Sequence, residues 1–450
     1  MKRTLTLKET IVVASTLFGM FFGAGNLIFP VHLGQMAGSN TGLATIGFII
    51  TAVGIPILGV AAIGNTHSDN LLSLSSKVSG WYGYAFTTLL YLTIGPFFAI
   101  PRCATTSFTT GIAPLIDESK LTIVQVIFTI IFFAVVLFFS LRPSGITTWI
   151  GRIINPIFLV TITILIVVSM VKPTAHIADI MPAENYQTST LFNGIIEGYG
   201  TMDAIAGLAF GIIIINVVRG LGVDGDDDVA KATIKSGFFT ALLMGLIYVL
   251  TVIMGAQSRG VFEVSENGGI ALAQISNYYL GSIGSLLLAL MITFACLKTA
   301  IGLVTSCSEM FVSMFPKSMS YKAWAISFSL FSFAVSNVGL TAIIEYSVPV
   351  LMLLYPLAIV LIAMALTERL FKKSKYVYIW VTAGAFAAAI FDFCKTLPEG
   401  IQTALSIPAM TALGQRIFPF FDLGLGWILP SFIGLIIGLL ITATKKEKRV

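Results

Sequence analysis

Two glycine-rich segments interrupt stretches that are otherwise apolar enough to be membrane helix: Gly23-Ala24-Gly25-Asn26 and Gly207-Leu208-Ala209-Phe210-Gly211. Inside hydrocarbon an unpaired backbone N–H or C=O is costly, so a chain that unwinds there must bind something or line a wet cavity. An unwound helix does chemistry with its main chain. The N–H groups at a half-helix N-terminus suit a carboxylate, and freed carbonyls accept from an ammonium group or ligate a cation. Ionisable side chains add to this. Asp203 lies just ahead of the second segment, where a carboxylate would attract a cation or an amine or simply face water. Lys298 falls in the middle of an apolar run, where a charge demands a partner or a function. Arg102, after Pro101 in the third helix, would either face the cavity from outside or, as the commoner outcome, snorkel along its helix. Glu309, Glu345 and Asp392 fall near predicted helix ends and read as structural.

Other chemistries find little support. The run Asp224-Gly225-Asp226-Asp227-Asp228 lacks the spacing and closing Glu of a calcium loop and reads as a solvated turn capping the seventh helix. His32, His67 and His176 are isolated, and Cys103, Cys296, Cys307 and Cys394 have no C-x-x-C spacing, so neither a transition metal nor a disulfide is expected. Neither H-E-x-x-H nor G-x-S-x-G occurs, which argues against an enzyme, and no selectivity-filter loop suggests a channel.

The elements that must position these residues follow from composition. With 56% hydrophobic and 10% charged residues in 450, the apolar stretches must face lipid. The net charge of +5 is spread over short loops, so it reads as a topology signal and not as a nucleic-acid surface. The segment after Lys2, Arg3 and Lys8 lacks a cleavage site and reads as a first span. Taking about 20 residues per span, helices are expected near residues 8–33, 41–64, 81–111, 121–140, 149–172, 195–220, 231–256, 282–312, 322–338, 342–366, 376–394 and 424–444. Most of the 26 Lys and Arg then fall on the side holding both termini, which predicts a multi-pass protein with cytoplasmic ends. Helices two to five recur as seven to ten, and because five is odd the copies must be inverted. The chain thus reads as one all-α transmembrane domain, with repeats near 8–172 and 195–366 and accessory helices near 376–444. Glycines in membrane helices also serve close packing, but two clusters in matching positions of two repeats favour paired breaks. That pattern predicts a secondary transporter for a small organic solute.

The segment Gly23-Ala24-Gly25-Asn26-Leu27-Ile28-Phe29-Pro30 resembles the unwound first helix of the leucine-transporter-type fold. Together with Gly198-Tyr199-Gly200-Thr201-Met202-Asp203 it makes the whole chain similar to the bacterial branched-chain amino acid carriers, which couple uptake of leucine, isoleucine and valine to sodium. The resemblance implies that the carbonyls of Phe21 and Ala204, with Ile205 nearby, face the substrate amine, and that the Ala24, Gly25 and Asn26 amides meet its carboxylate. Gly23, Gly207, Leu208, Ala209 and Phe210 complete the expected binding segment, with Phe21, Ala24, Leu208, Ala209 and Phe210 as pocket walls. The Gly19 and Phe22 carbonyls would form a cation site against Ala295, Lys298 and Thr299. Lys298 departs from the family's small or hydroxyl residue and raises proton-coupled or sodium-independent transport. No cofactor is implied beyond the coupling cation, sodium or proton. The implied partners are the amino acid and membrane lipid, in a bacterial plasma membrane, with the oligomeric state open. A broader-specificity amino acid permease or exchanger of the same fold is the alternative.

Overall fold

The computed structural model describes residues 4–66, 68, 70–142, 155–404 and 407–447, and among them the fold is all helical. The expected first span is two helices, α1 (Leu7–Phe21) and α2 (Ala24–Ala37). The second is α3 (Thr41–Ile49) and α4 (Ile55–Asn65), joined by the π-helical turn Ile50–Gly54. The third is α5 (Gly80–Leu92) and α6 (Ala99–Ser107), separated by a π turn in which Gly95 is non-helical and Pro96 removes a donor. After α7 (Leu121–Ser140) and α8 (Asn155–Val171), the sixth span is again two helices, α9 (Thr190–Tyr199) and α10 (Asp203–Gly220). Then follow α11 (Asp226–Ser258), α12 (Gly268–Met314), α13 (Tyr321–Ser336), α14 (Leu340–Thr367), α15 (Lys375–Lys395) and α16 (Ile428–Glu447).

Among the described residues eight helices are long and apolar enough to cross a membrane, or nine if the bent α10 is taken as one span. Most expected boundaries lie within a few residues of these helices. The start expected at 149 falls outside the described residues. The eighth helix begins at Gly268, ahead of the expected 282, and is interrupted at Gly281, whose φ of 58° suits glycine. Within the acidic run Gly225 is the N-cap of α11, and the helix starts at Asp226.

Backbone contact organises the bundle. A Cβ on Gly34 of α2 would collide with the Val252 carbonyl of α11, and one on Gly255 would collide with the Val31 carbonyl. The same reciprocal fit joins α3 to α9, where Gly47 meets the Leu191 carbonyl and Gly194 meets the Ala44 carbonyl. Small residues let membrane helices touch main chain to main chain, where packing replaces the absent hydrophobic drive. One half of each broken span is thereby fixed to a neighbour: α2 of the first span to the seventh, and α9 of the sixth to the second. At one end of α14, buried Glu368 gathers Lys77 at 2.7 Å, Lys373 at 3.5 Å and the Tyr378 hydroxyl at 3.3 Å, tying the α4–α5 connection to α14 and α15.

Overpacking of a close contact costs about 1–3 kcal/mol. Gly255→Ala should therefore lower the thermal unfolding midpoint in detergent, whereas Gly302→Ala, where an added Cβ meets nothing within 4 Å, should leave it unchanged.

Candidate functional site

The first break is shorter than the glycine-rich segment suggested. α1 ends when the Phe22 N–H reaches the Phe18 carbonyl at 2.8 Å, and α2 starts at Ala24, so only Phe22 and Gly23 leave helical geometry. Ala24, Gly25 and Asn26 form the first turn of α2 instead of an unwound strand, with their N–H groups at the positive helix end. The Asn26 side chain folds back so that its Oδ1 accepts the Gly23 N–H at 2.9 Å. By helix geometry the last carbonyls of α1, Gly19 to Phe21, have no donor within their own helix.

The second break lies earlier than the sequence suggested. The chain leaves helical form at Gly200-Thr201-Met202, and α10 then runs through Gly207–Gly211, with a 45° bend between Asp203–Gly211 and Ile213–Gly220. Met202 takes a φ of 64°, a left-handed conformation that strains a side-chain-bearing residue. Gly207 serves packing, since a Cβ there would collide with the Pro56 carbonyl of α4, and Gly59 closes on the Leu208 amide from the same helix.

The carbonyls of this second turn are all taken. Tyr199 accepts from the Met202 N–H and Met202 from the Ala206 N–H, each at 3.0 Å. Gly200 accepts from Arg102 Nη1 at 2.6 Å, and Thr201 from Arg102 Nη2 at 3.3 Å. Arg102 therefore does not snorkel: it is 3% exposed, on α6, with its guanidinium 5.3 Å from the centre of the Phe29 ring. Ala204 and Ile205 sit inside the first turn of α10, fully buried, so the carbonyls at the break belong to Gly200 and Thr201 and not to Ala204.

Between the two breaks lies a small cavity of about 40 Å³. Of the expected residues it brings together Phe21, Gly23, Ala24, Gly25, Asn26, Asp203, Phe210 and Thr299. Asp203, Ala206 and Phe210, at helical spacing, present one face of α10 to it. Gly207 and Leu208 are turned to α4 and do not wall it, and Ala209 offers its carbonyl to the Tyr91 hydroxyl at 3.3 Å. Of the expected cation group, Thr299 lies against the first break, its Oγ1 3.0 Å from where a Gly23 Cβ would be. Its neighbour Lys298 is buried at 8% exposure outside the lining, and Ala295 is buried too. Phe22 stacks on Phe18, ring centres 4.9 Å apart.

A buried polar cluster joins three spans at this cavity. Asn26 Nδ2 donates to Asp203 Oδ2 and to the Tyr248 hydroxyl, which in turn donates to Asp203 Oδ2 at 3.3 Å. Thr201 Oγ1 accepts the Asp203 N–H at 3.3 Å and closes the start of α10. Asp203 thus faces the cavity and not bulk water. Arg102 was legible only as one of two outcomes, with snorkelling favoured over a place at the cavity, and Tyr248 gave no signal. Next to the cavity, a cleft of about 290 Å³ opens beside α2, α9 and α14, where His32 and Glu197 approach to 3.7 Å. Phe29 packs on Gly200 in the wall of this cleft.

Comparison with known proteins agrees with this architecture. A family model described as branched-chain amino acid transport protein matches residues 6–445. The branched-chain amino acid permease BrnQ of Lactobacillus delbrueckii subsp. lactis is 49% identical over 96% of both chains. BrnQ of Bacillus subtilis is 39% identical over 98% of both chains, and a branched-chain amino acid transport system 2 carrier protein of Pseudomonas aeruginosa is 37% identical over 93% of both. Among solved structures, a manganese transporter of Eremococcus coleocola superposes with a TM-score of 0.59 at 12% identity, covering 96% of this chain and 95% of its own. The inward-facing form of Mhp1 gives 0.56 at 15%, covering 90% and 91%. At such identities these two speak for the fold alone, the leucine-transporter type.

Removing one acceptor from a buried network leaves donors unsatisfied at about 1–3 kcal/mol each. Asp203→Ala should therefore destabilise more than Tyr248→Phe. The pair Asn26→Ala and Asp203→Ala should be non-additive by about 0.5–3 kcal/mol in a double-mutant cycle of thermal unfolding.

Proposed function

We propose that this chain, which belongs to the family of branched-chain amino acid transport proteins, is a cation-coupled symporter that imports leucine, isoleucine and valine by alternating access. The observation that carries this reading is the convergence of two half-helix N-termini, at Ala24 and Asp203, on one cavity walled by Phe21, Ala206 and Phe210. Main-chain donors of α2 suit the carboxylate of a zwitterion, carbonyls at the end of α1 and the Asp203 carboxylate suit its amine, and the aromatic walls suit an aliphatic side chain. The names of the relatives, all permeases or carriers for branched-chain amino acids, support the same substrate class and a carrier in place of an enzyme.

The motion follows from how the halves are anchored. The first and seventh spans are locked through Gly34 and Gly255, and the second and sixth through Gly47 and Gly194, so these four can rock as a group against the third, fourth, eighth and ninth. Strain at Met202 and the two breaks supply hinges. With cytoplasmic termini, α2 and α9 face outward, and the Phe29–Gly200 contact is the outer closure.

One methylene is worth only about 1–3 kcal/mol in an apolar pocket, so the three substrates should overlap: excess valine or isoleucine is expected to inhibit leucine uptake, and absence of competition would refute the specificity. The coupling cation would sit between the α1 carbonyls at Gly19 and Phe22 and the Ala295–Thr299 face of α12. A lysine ammonium at Lys298, adjoining Thr299, supplies a fixed or proton-linked charge there, which weakens dependence on sodium. Leucine uptake into proteoliposomes, with sodium and proton gradients imposed separately, tests the coupling. Lys298→Thr should increase the sodium dependence of uptake, and an unchanged dependence would remove Lys298 from the cation site.

A further inference from the structure

One charge at the cavity, Arg102, has a carboxylate nearby in Asp203 but makes no direct ion pair with it. Arg102 lies on nine-residue α6, bounded by π turns on both sides, which aims it at the breaks. Two of its nitrogens hold the Gly200 and Thr201 carbonyls, and its Nε has no hydrogen-bond partner among the described residues. A Cβ on Gly25 would lie 2.8 Å from Nη2, so the guanidinium rests against the first turn of α2, beside the N–H groups at that helix start. Carbonyls are neutral acceptors, and a desolvated guanidinium is costly without a counter-charge. Asp203 is the one acid lining the cavity among the described residues, but it accepts from Asn26 and Tyr248 and offsets the positive end of its own helix. The guanidinium and the α2 N-terminus therefore leave an excess of positive potential on one side of the cavity.

We propose that Arg102 determines specificity by binding the carboxylate of the substrate between its guanidinium and the α2 amides, which makes a free carboxylate obligatory for recognition. The inference rests on reading the cavity as an amino acid site. Backbone amides alone would accept the carbonyl of an amide almost as readily as a carboxylate. A guanidinium fork distinguishes them, because only the carboxylate neutralises it and offers two oxygens to it. Substrate entry would then transfer the guanidinium from the Gly200 and Thr201 carbonyls toward the ligand, loosening the turn that holds the sixth span in its present shape.

The test is thermal-shift titration of the purified full-length protein with leucine and, separately, with leucinamide. For the wild type, leucine should bind at least about 10- to 100-fold more tightly than leucinamide, the range that charge-assisted hydrogen bonds provide. Arg102→Gln should erase that preference by weakening leucine binding while leaving leucinamide binding nearly unchanged. Arg102→Lys keeps the charge without the fork and should give an intermediate ratio, and it serves if the glutamine variant does not fold. If Arg102 only clamps the Gly200–Met202 turn, the variants will lower the unfolding midpoint and the transport rate at an unchanged leucine-to-leucinamide ratio, which overturns the proposal. Failure of the wild type to bind leucine at all would overturn the function reading itself, and this inference with it.

Discussion

The structure depends on one constraint: in hydrocarbon every main-chain donor and acceptor must be satisfied from within the protein. An unbroken helix meets that requirement alone, and this chain gives up that solution in both its first and its sixth span. At the sixth span the debt is met internally, two carbonyls by their own turn and two by the Arg102 guanidinium. At the first span it is met only in part, by the Asn26 side chain on the Gly23 N–H. The last carbonyls of α1 have no donor within their own helix, and Phe21, Gly23 and Gly25 line the cavity, which makes the first break the better place for a polar ligand.

The second consequence is mechanical. A helix broken in the middle must be held from the side, and α2, α9 and α10 are held by neighbouring spans through contacts so close that only glycine fits. Anchoring of this kind keeps these helices rigid while leaving the turn between halves free to change. The polar cluster of Asn26, Asp203 and Tyr248 crosses between the first, sixth and seventh spans, so the two breaks share hydrogen bonds and cannot rearrange independently.

Much of this was legible in the sequence, and the reasons are specific. Span positions follow from apolar runs of membrane length, and the first break from a glycine cluster just before Pro30. The second break was misplaced because Gly207 and Gly211 look like an interruption, whereas their role is close packing against α4; the actual turn uses Gly200 and a strained Met202, inside the Gly198–Asp203 segment that carried the resemblance but was set ahead of the break. Leu208 and Ala209 were assigned to the pocket for the same reason. Tyr248 was invisible because a tyrosine in a membrane helix is ordinary and its partners are distant in sequence. Arg102 was visible but misread, since snorkelling is decided by depth and by neighbours, and the carbonyls that hold it come from the misplaced turn.

The most direct measurement is an experimental density map of the protein with leucine bound. The account predicts both spans interrupted, at Phe22–Gly23 and at Gly200–Met202, with the ligand between them, its carboxylate toward the α2 N-terminus and its side chain toward Phe21 and Phe210. Continuous helices through both positions, or leucine bound away from that gap, would contradict it.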